Sequence, residues 1–279
     1  MRRNLLTLIL LVLCGSTAAS LSACTSSSPL SDAPVTVPPR TSHGGPNAAR
    51  LAAATAGRPL AGKVIVIDPG HQLGNHNFPR KINRLVWFGA GRKPCDTTGT
   101  ATNGGYPEAT FTWQVAQDVR ARLVALGARV VMTRTANSQK LWGPCVDVRG
   151  RRGNRIPADL KVSIHGDGTY AAGAHGFHVI YASDVKPTRD TFARSRRYAR
   201  ETRNALDRAG FHRSTYIGGG TGLDVRHDLG SLDLSNMPAC LVELGNMRNR
   251  KDARIMTSAK GRARYAGALV AGMRAFLGR

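Results

Sequence analysis

Five short runs of apolar and β-branched residues alternate along this chain with longer stretches of helical period, and that alternation limits the fold more than any other feature. They are Lys63–Asp68 (KVIVID, ending at Pro69-Gly70), Ala128–Arg134, Leu160–His165 (LKVSIH), Gly176–Ala182 (GFHVIYA) and Pro238–Leu244 (PACLVEL). Runs this short and this apolar read as buried strands. Between them, Pro107–Leu126 carries Phe111, Val115, Val119 and Leu123 at helical spacing, with Pro at its start and Gly127 just past its end. Asp147–Ile156 reads as a short Arg-rich helix, Thr188–Ala209 as a long basic helix, and Ala263–Leu277 as a terminal helix. Strands alternating with helices predict one α/β domain, with a twisted, largely parallel central sheet flanked by helices on both faces. Residues 71–106 read as a long Gly-rich irregular segment, and such a loop in a compact domain is usually functional.

The first 62 residues are of another kind. Arg2 and Arg3 precede Leu5–Leu13, an apolar stretch about half as long as a bilayer requires, which predicts an export signal. Leu21-Ser22-Ala23-Cys24 resembles the bacterial lipobox. The expectation is a signal peptide over 1–23 and lipidation of Cys24, anchoring the protein to the outer face of the cytoplasmic membrane. Plain cleavage near Ala23, giving a secreted or periplasmic protein, is the alternative. Residues 24–62, rich in Ser, Pro, Thr, Ala and Gly, are expected to form a flexible tether ahead of a globular domain over 63–279. Residues 1–62 hold five Arg and one acid, so +19 of the net charge of +23 belongs to that domain. Nucleic acid is a poor partner for an exported chain with 6% aromatics and no finger or helix-turn-helix pattern. The anionic cell envelope is the partner that the charge implies. A monomer is expected.

Of the five cysteines, Cys14 lies in the signal and Cys24 at the lipobox. Cys95 and Cys145 occupy polar, Gly- and Pro-containing segments, and an exported chain can pair them. Their bridge would close a loop of about 50 residues, worth roughly 4 kcal/mol on the chain-entropy model. Cys240 lies in an apolar run and reads as a small buried hydrophobe.

In a parallel sheet, ligand sites gather outside the carboxyl ends of the strands. His71 follows the first strand, His165 closes the LKVSIH strand, and Glu243 closes the LVELG strand. Glu108 opens the first long helix. Only three Glu occur in the chain, and the third, Glu201, reads as a surface ion partner in the basic helix. Glu243 lies in an otherwise apolar strand, where a carboxylate is costly unless it is paired, metal-bound or working. Two His and one Glu suffice for a catalytic zinc with a position open to water, and another carboxylate can serve as general base. Taken singly, His71 could be a turn histidine, His165 a satisfied core histidine, and Glu108 a carboxylate favoured by the helix dipole.

IDPGH (67–71), Glu108 at the helix start, the Arg-rich 149–155 segment before a strand ending SIH (163–165), and VELGNMRN (242–249) together resemble the zinc-dependent N-acetylmuramoyl-L-alanine amidases. The resemblance spans 63–279 and is greatest to small single-domain, disulfide-containing actinobacterial members. It implies hydrolysis of the amide between N-acetylmuramic acid and the L-alanine of the peptidoglycan stem peptide. It also implies one Zn²⁺ held by His71, Glu108 and His165, with Glu243 as the catalytic carboxylate. The substrate would be peptidoglycan or its muropeptide fragments. A zinc peptidase cutting within the stem, and a wall-binding lipoprotein without catalysis, are the competing readings. Where the family commonly has SIHAN this chain reads SIHGD, so Asp167 is a candidate for substrate contact, for orienting His165, or for capping a turn. His227, in the Gly-rich 218–230 loop, is the other candidate substrate contact; His76, His175, His178 and His212 read as structural or rim residues. No long insert precedes the last strand, so an open groove is expected.

Overall fold

Side chains alternate across a strand, and this divides the domain into two layers of unequal character about one sheet. The computed structural model describes residues 57–279; the signal segment, Cys24 and most of the tether lie outside the described residues. The strands are β1 (Val64–Pro69), β2 (Leu85–Trp87), β3 (Arg92–Pro94), β4 (Arg129–Met132), β5 (Leu160–Asp167), β6 (His178–Ala182), β7 (Leu223–Arg226) and β8 (Ala239–Asn246). The helices are α1 (Glu108–Ala125), α2 (Val146–Arg151), α3 (Arg189–Arg208), α4 (Arg250–Thr257) and α5 (Ala259–Leu277), with single turns at Pro79–Ile82 and Gly230–Asp233. Six strands form the central sheet in the order β4-β1-β5-β8-β6-β7. β4, β1, β5 and β8 are parallel, β6 runs antiparallel to β8, and β7 is parallel to β6.

On one face Ile65, Ile67, Val162, Ile164 and Val242 pack with Phe111, Val115, Val119 and Leu123 of α1 and with Tyr198 and Leu269 from α3 and α5. All nine of the helix and strand side chains first named are fully excluded from solvent, so this face is the main hydrophobic core. Leu60, just ahead of β1, already belongs to it. The other face holds a smaller apolar cluster of Ile180, Leu232, Ala239 and Leu241, beside α2 and the Gly230–Asp233 turn. Polar side chains fill much of the rest of that face. Lys161 of β5 is buried and donates to the carbonyls of Arg149 and Gly150 and to Ser235 Oγ. Burial lowers its ammonium to about 7.

The structure departs from the sequence reading at four places. Residues 85–94 form the β2–β3 hairpin, which the pattern did not announce because Leu85 and Trp87 stay exposed and bury no apolar face. β7 is a four-residue edge strand, half exposed and equally weak in signal. α2 stops at Arg151, five residues short of Ile156, because Gly153 adopts φ +97° where a Cβ would lie 2.7 Å from Val66 Cγ2. Glu201 makes no ion pair among the described residues; the pairs around α3 run from Asp207 to Arg203 and Arg213, and from Asp184 to Arg189.

Candidate active site

The turn that leaves β1 carries the first site residue, and it is held by its carbonyl oxygens. Arg149 donates to Pro69 O at 2.7 Å and His71 O at 2.9 Å, Thr112 Oγ1 to Gly70 O at 2.8 Å, and Arg134 Nε to Pro69 O at 3.1 Å. These bonds fix His71 at φ +56°, a left-handed conformation uncommon for a side-chain-bearing residue and found most often at constrained sites. Gly70 must be glycine: a Cβ there would lie 2.3 Å from the His165 ring.

His165 ends the regular part of β5, and Glu108 projects from the first turn of α1. Their donor atoms meet. His71 Nε2 lies 3.3 Å from Glu108 Oε1, and His165 Nδ1 lies 2.9 Å from the same oxygen. The three ligand atoms all fall within 4.8 Å of one another. Glu108 is steadied by the Thr100 N–H at 2.9 Å on Oε2 and the Gly166 N–H at 3.2 Å on Oε1. Burial alone would raise the Glu108 carboxyl, but the two imidazoles hold it well below the usual carboxylate range. Burial likewise opposes protonation of His71, and the carboxylates of Glu108 and Asp96 overcome it, raising its proton affinity well above the ordinary histidine value. Two nitrogens and one carboxylate oxygen converging on one point fit a zinc ion in donor type and number.

Asp96, which the sequence reading passed over, completes the set from behind. His71 Nδ1 approaches Asp96 Oδ1 at 3.0 Å, leaving Nε2 for a ligand. Asp96 Oδ2 accepts from Arg149, and Arg149 also pairs with Asp68 Oδ1 at 2.7 Å. Asp68 in turn accepts from Thr133 and Ser163, so a closed charge network underlies the metal-ligand turn. The disulfide Cys95–Cys145 is present and joins the segment after β3 to the start of α2, setting Asp96 against Arg149. Asp68 had a legible signal, the same one that singled out Glu243: a lone carboxylate in an apolar strand. Asp96 had none, because its role depends on a loop brought home by the disulfide.

Glu243 stands directly across from His165 in the β5–β8 pairing, so both side chains point to the same face. Glu243 Oε2 is buried with no hydrogen-bond partner. Burial, then the negative charges of Glu108 and Asp167, push its carboxyl well above the usual range. His178 lies on its other side, paired with Glu243 across β6–β8, and its Nδ1 is also buried without a partner. Reading strand carboxyl ends could not find His178, because β6 is reversed and brings its amino end to the site. Asp167 caps its own turn through Gly168 N–H at 2.6 Å and accepts the Tyr216 hydroxyl at 2.8 Å. His227 is exposed and makes no hydrogen bond to these groups; the neighbouring Asp228 carbonyl accepts from Lys93 of the hairpin. A cavity of 190 Å³ opens beside His71 and His165, walled by Lys93 and Thr97 on one side and Leu229–Ser231 and Leu241 on the other.

Two imidazoles and a carboxylate that could hold a metal at the strand ends of an α/β sheet, faced by a buried and unpaired carboxylate, define the class: a hydrolase with a candidate metal site. Comparison with known proteins agrees. Residues 65–275 match the family model described as N-acetylmuramoyl-L-alanine amidase (Amidase_3), and the chain belongs to that family. It is 44% identical over 197 residues to the N-acetylmuramoyl-L-alanine amidase Rv3717 of Mycobacterium tuberculosis, covering 70% of this chain and 80% of that one. Two solved structures are also similar. Ami1 from Mycobacterium abscessus, in its apo form, superposes with a TM-score of 0.73 at 45% identity, covering 78% of this chain and all of that one, 100%. Ami1 from Mycobacterium smegmatis gives the same TM-score, 0.73, at 42% identity and covers 78% and 98% of the two chains.

Proposed function

We propose that this domain hydrolyses the amide between the lactyl group of N-acetylmuramic acid and the L-alanine of the peptidoglycan stem, using one Zn²⁺ held by His71, Glu108 and His165. The observation that carries the reading is the convergence of those three donor atoms within 4.8 Å, with Glu243 one strand away on the same face. His71, Glu108 and His165 would hold the zinc, which would supply Lewis acidity for amide hydrolysis there. Glu243 takes the proton from the attacking water and passes it to the departing alanine nitrogen. Its unpartnered Oε2 leaves it free to do both. Asp96 keeps His71 in the tautomer that presents Nε2, and Arg149 keeps Asp96 ionised. Asp167 acts through Tyr216 to shape the cleft beyond His165, and His227 supplies a rim contact for substrate.

Export through the signal over 1–23, a tether that runs from residue 24 and ends short of the buried Leu60 rather than at 62, and lipidation at Cys24 would deliver the domain to peptidoglycan as a monomer held near the membrane surface. Among the described residues no helix is long and apolar enough to cross a membrane.

Mass spectrometry of products from defined muropeptides tests the reaction. The expected product is a stem peptide with a free N-terminal L-alanine, with zinc in 1:1 ratio to protein. Cleavage inside the stem would make the enzyme a peptidase, and no release at all with zinc present would leave only wall binding.

A further inference from the structure

β4 closes one side of the sheet, and its outer edge borders a groove of 870 Å³ that none of His71, Glu108, His165 and Glu243 lines. Trp113 and Arg120 reach it from α1, Arg129 from β4, and Arg151, Arg152 and Arg155 from the end of α2 and the turn after it. No carboxylate lines the groove. Arg151 pairs loosely with Asp147 at 3.5 Å, half exposed. The side chains of Arg120, Arg129 and Arg155 make no hydrogen bond or ion pair among the described residues. Five guanidinium groups line one groove, three of them without a partner, and their like charge favours an anion there.

We propose that this groove binds a linear phosphodiester polymer of the cell envelope, holding the domain on the wall while the catalytic cleft remains free. The choice of an envelope polymer rests on the reading of the domain as a wall enzyme; the anion site itself does not. Three features select this ligand. The groove is concave, which suits a chain and not the flat surface of a bilayer. One carbonyl of its strand edge is already engaged, since Arg152 Nε donates to Met132 O at 3.2 Å, which disfavours an incoming peptide adding as a further strand there. Guanidinium forks match phosphate oxygens two at a time, and a charge on every repeat of the polymer answers a row of arginines. Val130, Met132 and Ile156 add an apolar lining for the carbon skeleton between phosphates.

The test uses the whole protein and a synthetic poly(glycerol phosphate). Arg120→Gln/Arg129→Gln/Arg155→Gln should weaken binding tenfold or more and lower the salt slope by about 2, the loss of three phosphate contacts at the single-strand coefficient. Arg194→Gln/Arg196→Gln/Arg200→Gln, an equal charge loss on the exposed side of α3, should weaken it less than threefold. Hydrolysis of a soluble muropeptide should be the same in both triple variants, which separates this site from the catalytic one. In the wild-type protein, the polymer should protect amides of 129–132 and 151–156 from hydrogen exchange, a readout that needs no variant. Equal losses in the two variants, or no protection in those segments, would overturn the site. Equal or tighter binding of polyglutamate, or of phosphatidylglycerol vesicles, would overturn the choice of ligand.

Discussion

The ligand turn and the β4 groove are both built around arginine, and they use it in opposite ways. Beneath the turn, Arg149 is buried, paired to Asp68 and Asp96, and bonded to the carbonyls of Pro69 and His71. In the groove, Arg120, Arg129 and Arg155 are exposed and carry no partner among the described residues. A buried guanidinium with every donor engaged fixes geometry, and a change to it is felt by the whole site. An exposed one contributes field, which is screened by salt and shared among neighbours. Substitutions should therefore act singly and strongly at the turn, and weakly and additively in the groove.

The largest effects test the turn. Arg149→Met strands Asp68 and Asp96 as uncompensated buried carboxylates and should cost about 3–5 kcal/mol of stability. Thermal melts would check it, and a melting point equal to that of Arg155→Met would erase the contrast. Glu243→Gln should leave zinc content unchanged and lower turnover by about 10³-fold, within the range of lost general-base catalysis; near-wild-type turnover would remove Glu243 from the reaction. Asp96→Asn should weaken zinc binding by about 10–100-fold, measured by competition with a chelating dye.

Asp68 links the same network to pH. Burial alone would raise its carboxyl; Arg149, Thr133 and Ser163 together lower it below 3.8. Its contribution to stability is thus complete above about pH 4 and is lost as pH falls through the lower folded value. Asp68→Asn should flatten that acid limb in urea titrations carried below about pH 4, and an unchanged limb would deny the coupling. The smallest effect belongs to the groove: Arg155→Gln should change stability by no more than about 0.5 kcal/mol.

Much of this was legible in the chain before any coordinates. Short continuous apolar runs located β1, β5 and β8, and period-3.6 spacing gave the core face of α1, where Phe111, Val115, Val119 and Leu123 are all fully buried. Strand-end logic and the scarcity of Glu found His71, His165, Glu108 and Glu243, which the fold brings together. The signal was strong because these residues break an apolar pattern at the points where a parallel sheet exposes its ends. Where β6 reverses, the same logic missed His178, since strand direction is not encoded in a strand's own composition.

The sequence by itself therefore determined the buried strands, the helix packed on them and the four candidate groups of the site, because burial and period act locally on each segment. Only the tertiary structure decided what aims them. Asp96 reaches His71 from a hairpin segment fastened by Cys95–Cys145, Arg149 arrives from α2, and the groove joins α1, β4 and the turn after α2. Those contacts span segments tens of residues apart, and no local pattern carries them. They form because buried charge must find its partner in three dimensions, while exposed arginine has no such requirement.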